Sequence, residues 1–144
     1  MRSGYLIVET RADQAGLVRI YSVDHQPAPA SESTDPAMPR IRYAAFFGSL
    51  DVALMHAQTA LHGCLIDVEA GLYRTDPLTA VAAVDAIDLG HQVQYLDPEL
   101  AANPRLSAAI ERRRMRRRWI NRAWNAVGIL AILLLLLLGQ FPAV

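Results

Sequence analysis

The stretch RRRMRRRWINRAWNAVGILAILLLLLLGQFPAV, residues 112–144, decides the architecture of this chain. From Ala123 to Val144 it holds no ionisable side chain. A helix over those 22 residues rises about 33 Å, enough to cross a hydrocarbon core of about 30 Å. A core helix of a soluble domain needs a polar stripe, and Ile129 to Leu138 has none around its circumference. A signal peptide belongs at the opposite end of a chain. The stretch therefore reads as a transmembrane helix.

Its flank supplies the sidedness. Arg112, Arg113, Arg114, Arg116, Arg117, Arg118 and Arg122 precede the span, and Trp119 and Trp124 fall where amphipathic rings favour the headgroup boundary. Arginine-rich flanks stay on the cytoplasmic face. The pattern predicts a single-pass, tail-anchored protein of a bacterial inner membrane, head in the cytoplasm, with anionic lipid headgroups at the arginine collar. Nucleic acid is not required to explain a basic cluster that abuts a span. The span carries no charge for an ion relay and no GxxxG motif.

Moving outward from the collar, the charge reverses. Residues 1–111 carry all fourteen acids and seven arginines, a net of −7, while residues 112–144 carry seven arginines and no acid, a net of +7. Anionic lipid repels such a head and holds such a neck, each arginine near the surface contributing about 1 kcal/mol. The head is thus expected to stand off the bilayer or meet a basic partner. All basic residues are arginine, which with the abundant alanine points to a GC-rich bacterial genome. The single Cys64 excludes an intrachain disulfide and suits a reducing cytosol.

Three segments follow: a cytosolic head over 1–102, a basic connecting helix over 103–122 and the span over 123–144. Asn103-Pro104 is an N-cap and first-turn pair. Neither proline nor glycine interrupts Arg105 to Val127, so neck and span read as one rod. The arginines take up most of its circumference, a collar with no preferred face.

Within the head, Gly4 to Arg11 and Leu17 to Val23 are apolar and β-branched runs around a turn, a hairpin. His25 to Arg40 holds prolines at 27, 29, 36 and 39 among serines and acids and reads as a mobile loop. Ile41 to Phe47 is a strand, then Ser49 caps a helix with apolar positions at Leu50, Ala53, Leu54, Ala57 and Leu61, closed by Gly63. Cys64 to Val68 is a strand, Leu72 to Arg74 a short one after a turn at Gly71, and Asp76-Pro77 opens a second helix that ends before Gly90. Gln92 to Leu96 is the last strand. The fold class is α+β. If the Gly71 turn is real, the order is the split βαβ of ferredoxin-like sandwiches, preceded by the hairpin, which extends or covers the sheet; otherwise a βαβαβ unit remains.

Chemistry is sparse. His56, His62 and Cys64, with His91 from elsewhere in the fold, are the candidate ligands for a metal or haem. Yet His56 and His62 are six apart, about 240° around a helix, and no CxxC or HxxxH spacing is present. No metal or cofactor is therefore expected. Asp67 and Glu69 alternate on one predicted strand, but paired carboxylates at a strand edge serve solubility more often than acid–base work. Gly48-Ser49 opens a helix that can receive an anion, without further glycines to support it. GxGxxG, Walker, HExxH and GxSxG motifs are all lacking. The expectation is a non-catalytic accessory or regulatory subunit of a membrane complex. The alternatives are a metal- or haem-linked sensor using the His/Cys cluster, and a tether that recruits a cytosolic partner through loop 25–40.

Overall fold

Gly4–Thr10 contains Leu6, Ile7 and Val8 in succession, and a strand apolar on both faces belongs in the middle of a sheet. That is where it lies. A computed structural model describes residues 2–27 and 38–139 of the 144. The described strands are β1 (Gly4–Thr10), β2 (Leu17–Val23), β3 (Arg40–Phe47), β4 (Leu65–Asp67), β5 (Leu72–Arg74) and β6 (His91–Leu96). The helices are α1 (Leu50–Ala60), α2 (Pro77–Asp85), α3 (Pro98–Ala101) and α4 (Pro104–Gly139). The sheet order is β4-β5-β2-β1-β3-β6, every neighbouring pair antiparallel.

The α+β class and the expected sequence of elements from β3 to β6 are present. The ferredoxin-like order is not. That order places β3 directly beside β5, whereas here the N-terminal hairpin β1–β2 stands between them. The hairpin neither extends nor covers the sheet; it supplies its centre. The cause is burial: Leu6, Ile7 and Val8 are each at most 2% exposed, which only a central strand provides. β6 has no buried residue, as suits an edge.

One face of the sheet carries the core. Leu6, Val8, Val18, Ile20, Tyr43, Ala45, Phe47 and Tyr73 meet Leu50, Ala53 and Ala57 of α1 and Ala80 to Val84 of α2. Leu100 of α3 and Leu106 of α4 join the same cluster, so all four helices lie against this face. On the other face the register sets Tyr5 beside Phe46 and Ile7 between Tyr21 and Ala44, with the Tyr5 and Phe46 rings edge to face at 5.3 Å.

Turns and caps follow from side-chain chemistry. Gly71 adopts φ +62°, and its carbonyl accepts from the Ile20 amide at 2.8 Å; a Cβ there would run into the Ile20 carbonyl oxygen. The Asp76 carboxylate accepts from the Thr79 amide at 2.9 Å, capping α2, and the Asn103 side chain accepts from Arg105 N–H at 3.0 Å before α4. α3, which the sequence reading misses, repeats the device: Asp97 precedes Pro98 and accepts from the Glu99 amide at 2.9 Å.

Asp97 is fully buried and also ties strand to helix. Arg42 donates to it at 2.6 Å and to Glu99 at 2.9 Å, and Arg40 pairs with it at 3.0 Å. Burial alone pushes the Asp97 carboxyl up. The Arg42 hydrogen bond, the Glu99 amide and the two guanidinium charges outweigh it, so the group sits below the usual carboxylate range.

Two further expectations change. Cys64 lies in a 3₁₀ turn, His62–Cys64, and β4 runs only from Leu65 to Asp67. Glu69 is therefore off the strand: Asp67 Oδ1 accepts from the amides of Glu69 (2.9 Å) and Ala70 (3.0 Å), so this carboxylate builds the turn. Of the predicted mobile loop 25–40, residues 28–37 lie outside the described residues.

Neck and apolar stretch form the single helix α4, whose 36 residues span about 54 Å. It is long and apolar enough to cross a membrane, and none of its apolar stretch is buried. The large side chains from Trp119 to Leu138 are between 46% and 75% exposed, which no soluble core helix shows.

Candidate functional site

The described features that combine charge, shape and burial converge where the first turns of α4 meet α2. Leu106 is buried there, Ala109 and Ile110 are partly buried, and Arg113 and Arg117 are half-buried. Their spacing of three and four marks one face of a helix. The neck is therefore not an even collar and not a free rod below the head. One stripe of it packs on α2, which the run of arginines concealed because guanidiniums and apolar residues share the same face.

A polar latch fixes this contact. Asp85 ends α2, a position where the helix dipole disfavours a carboxylate. Its environment compensates. Arg114 Nη2 donates to Asp85 Oδ2 at 3.0 Å and to the Asp85 carbonyl at 3.1 Å. The hydroxyl of Tyr43, only 1% exposed, donates to Asp85 Oδ1 at 2.9 Å. Burial first, then the Asp85 charge and the hydrogen bond to it, hold the Tyr43 phenol well above its ordinary range. His91 lies in the same cluster, stacked on Phe47 with ring centroids 5.0 Å apart. Its Nδ1 donates to the Leu89 carbonyl at 2.9 Å, and its Nε2 stands 3.4 Å from Asp85 Oδ1.

Two grooves flank the latch. The first, about 340 Å³, runs between the α2–β6 connection and α4, with Asp88, His91, Arg114, Arg117, Arg118 and Asn121 among its lining. The second, about 500 Å³, lies between α1, α2 and α4. Ala83, Ala86, Ile87 and Ile120 give it an apolar lining; Arg113, Arg116 and Arg117 give it charge; His56, Thr59 and His62 stand on the α1 side. No acidic residue lines it, although the head as a whole is acidic. Three guanidiniums around an apolar floor can receive an anion with an apolar portion.

The sequence-derived candidates fall as follows. His56 and His62 line the second groove and His91 the first, while Cys64 sits in its turn, so the predicted cluster is divided among three places. Among the described residues, no group of three His, Cys, Asp or Glu side chains is placed to hold a metal ion. Arg112 and Arg122 face outward, and Trp119 and Trp124 are 75% and 71% exposed. Ser49 takes the N-cap position of α1, and the first helical amide, that of Leu50, donates to the Arg2 carbonyl at 2.8 Å instead of waiting for an anion. Sequence reasoning missed Asp85, Tyr43 and the division of labour among the arginines. The one available signal was an acid at the C-terminal end of a helix, where dipole electrostatics call for a nearby cation. Comparison of the chain with models of protein families, with curated proteins and with solved structures finds no match.

Proposed function

We propose that this protein is a membrane-anchored, non-catalytic accessory subunit of a bacterial inner-membrane assembly, with its acidic head on the cytoplasmic side docked against a partner. The observation that carries the reading is the exposed apolar helix beyond Arg122, preceded by seven arginines between positions 112 and 122. About twenty apolar residues in water would drive aggregation, and a bilayer is the solvent that satisfies them. The arginine flank favours a cytoplasmic head. Lipid phosphates neutralise the collar, and the net charge of −7 over residues 1–111 favours a partner surface that is basic.

The head's own construction agrees with a scaffold role. Its carboxylates at Asp67, Asp76, Asp85 and Asp97 are engaged in turns, caps and ion pairs, the work of structure. The experiment is extraction of the tagged full chain from native membranes in mild detergent, affinity purification and mass spectrometry. A reproducible set of membrane-protein companions at near-stoichiometric amounts supports the reading. Repeated recovery of the chain alone contradicts it.

A further inference from the structure

We propose that the groove between α1, α2 and the neck seats one anionic phospholipid, its phosphate among Arg113, Arg116 and Arg117 and its glycerol and upper acyl carbons on Ala83, Ala86, Ile87 and Ile120. This goes beyond a diffuse attraction of lipid to the collar, and it rests on the reading of α4 as a membrane span.

Four observations point to this occupant. First, the guanidinium groups of Arg113, Arg116 and Arg117 form no hydrogen bond or ion pair among the described residues, although Arg113 and Arg117 are half-buried. Arg114, one position away, is fully engaged with Asp85. Half-buried cations without a counter-charge are costly and favour an anionic guest. Second, no acid lines the groove, in contrast with the neighbouring groove that contains Asp88. Third, its floor is apolar, so a bare inorganic ion would leave Ala83, Ala86, Ile87 and Ile120 without a partner, whereas an amphiphile covers both parts. Its volume of about 500 Å³ lies within the roughly 300–1,000 Å³ typical of small-ligand sites.

Depth supplies the fourth. Along α4 the span begins about seven residues beyond Arg116, a rise of roughly 10 Å, and Ile120 lies between the interfacial Trp119 and Trp124. The groove therefore opens at headgroup level. A lipid of the adjoining leaflet enters it with its chains still in the bilayer, so little ordering cost accompanies binding.

The test uses the full chain in nanodiscs of mixed phosphatidylcholine and phosphatidylglycerol, with retained lipid counted by native mass spectrometry after gentle release. The expected result is one phosphatidylglycerol per chain, held in preference to phosphatidylcholine. Arg113→Gln plus Arg117→Gln should lower its retention at least about tenfold. Arg112→Gln plus Arg122→Gln removes the same charge outside the groove and should change retention less than about twofold. Both variants keep Arg114 and its contact with Asp85. Equal losses in the two variants, or no preference for the anionic lipid, overturn the seat and leave only a diffuse collar. Displacement of the lipid by millimolar inorganic phosphate or by an oligoglutamate peptide overturns the lipid assignment. A chain that never enters the nanodisc overturns the span reading and the seat with it, whereas a chain that enters and retains no lipid overturns the seat alone.

Discussion

Replacing Asp85 by alanine should unfold the head far more readily than replacing Arg114, although the two form one ion pair. Arg114 is 48% exposed, so its pair with Asp85 is screened and its loss should cost about 0.5–1 kcal/mol. Asp85→Ala loses the same pair and also strands the Tyr43 hydroxyl, in a residue 1% exposed, without its acceptor. A buried hydroxyl left unsatisfied costs about 1–3 kcal/mol, and relief of the helix dipole returns only a few tenths. The net expectation is about 2–3 kcal/mol. Hydrogen exchange of the full chain in detergent micelles measures it through the amides of β1 and β3, which report opening of the head and not of the micelle-bound helix. Their exchange should accelerate roughly 30- to 150-fold in Asp85→Ala and about two- to fivefold in Arg114→Ala. Adding Tyr43→Phe to Asp85→Ala should recover the part of the loss that comes from the stranded hydroxyl, because that buried donor is then removed with its acceptor. Equal effects of Asp85→Ala and Arg114→Ala, or no recovery by Tyr43→Phe, would refute the reasoning.

Three further outcomes are expected. The Asp97 carboxyl sits below its ordinary range, so its contribution to stability is complete above the unfolded value near pH 4 and is lost as pH falls through the lower folded value. Acid unfolding followed by far-ultraviolet circular dichroism should show this fall, and in Asp97→Asn the head should be weaker at pH 7 with a shallower acid slope. Burial, followed by the hydrogen bond and charge of Glu9, pushes the Tyr21 phenol up to about 12. The neutral form is thereby favoured in the fold, stability declines between about pH 10 and 12, and tyrosinate absorbance compared with Tyr21→Phe should place this ionisation late. Gly71→Ala meets both a positive φ and the Ile20 carbonyl, so it should destabilise the β4–β5 edge by more than about 2 kcal/mol, read as local exchange at Ile20 and Leu72.

Local signals in the sequence were reliable where the chemistry is local. Asp76-Pro77 and Asn103-Pro104 start helices because an Asx side chain and a proline satisfy the same first turn wherever they occur. Asp97-Pro98 does so too, and went unread because α3 spans only four residues immediately after a strand. The strand order was harder. Every strand of the head was visible, but neighbours such as β1 and β3 or β2 and β5 are chosen by long-range burial, which periodicity does not encode. The run Leu6-Ile7-Val8 did carry the clue, since an uninterrupted apolar triplet demands cover on both faces.

The candidate site was legible in composition and not in geometry. Seven arginines directly before a stretch long and apolar enough to cross a membrane mark the neck in the sequence. Which of them serves the head is set by 100° steps around α4 relative to α2, so Arg114 reaches Asp85 while Arg113 and Arg117 turn to a groove. No local pattern distinguishes neighbours in RRRMRRR. His56, His62, Cys64 and His91, whose spacing already argued against a shared site, lie apart in the fold: His62 and Cys64 fall in a 3₁₀ turn after α1, and His91 pairs with Phe47 across the sheet edge.

The single native cysteine provides the most direct measurement of the central claim, that α4 crosses a membrane with the head on the cytoplasmic side. A membrane-impermeant maleimide is applied to intact spheroplasts and to permeabilised ones, and carbonate-washed membranes are analysed for label at Cys64, which is partly exposed on the head. The account predicts that the protein stays in the washed membrane pellet and is labelled only after permeabilisation. Release into the carbonate supernatant, or labelling of Cys64 in intact spheroplasts, would contradict it.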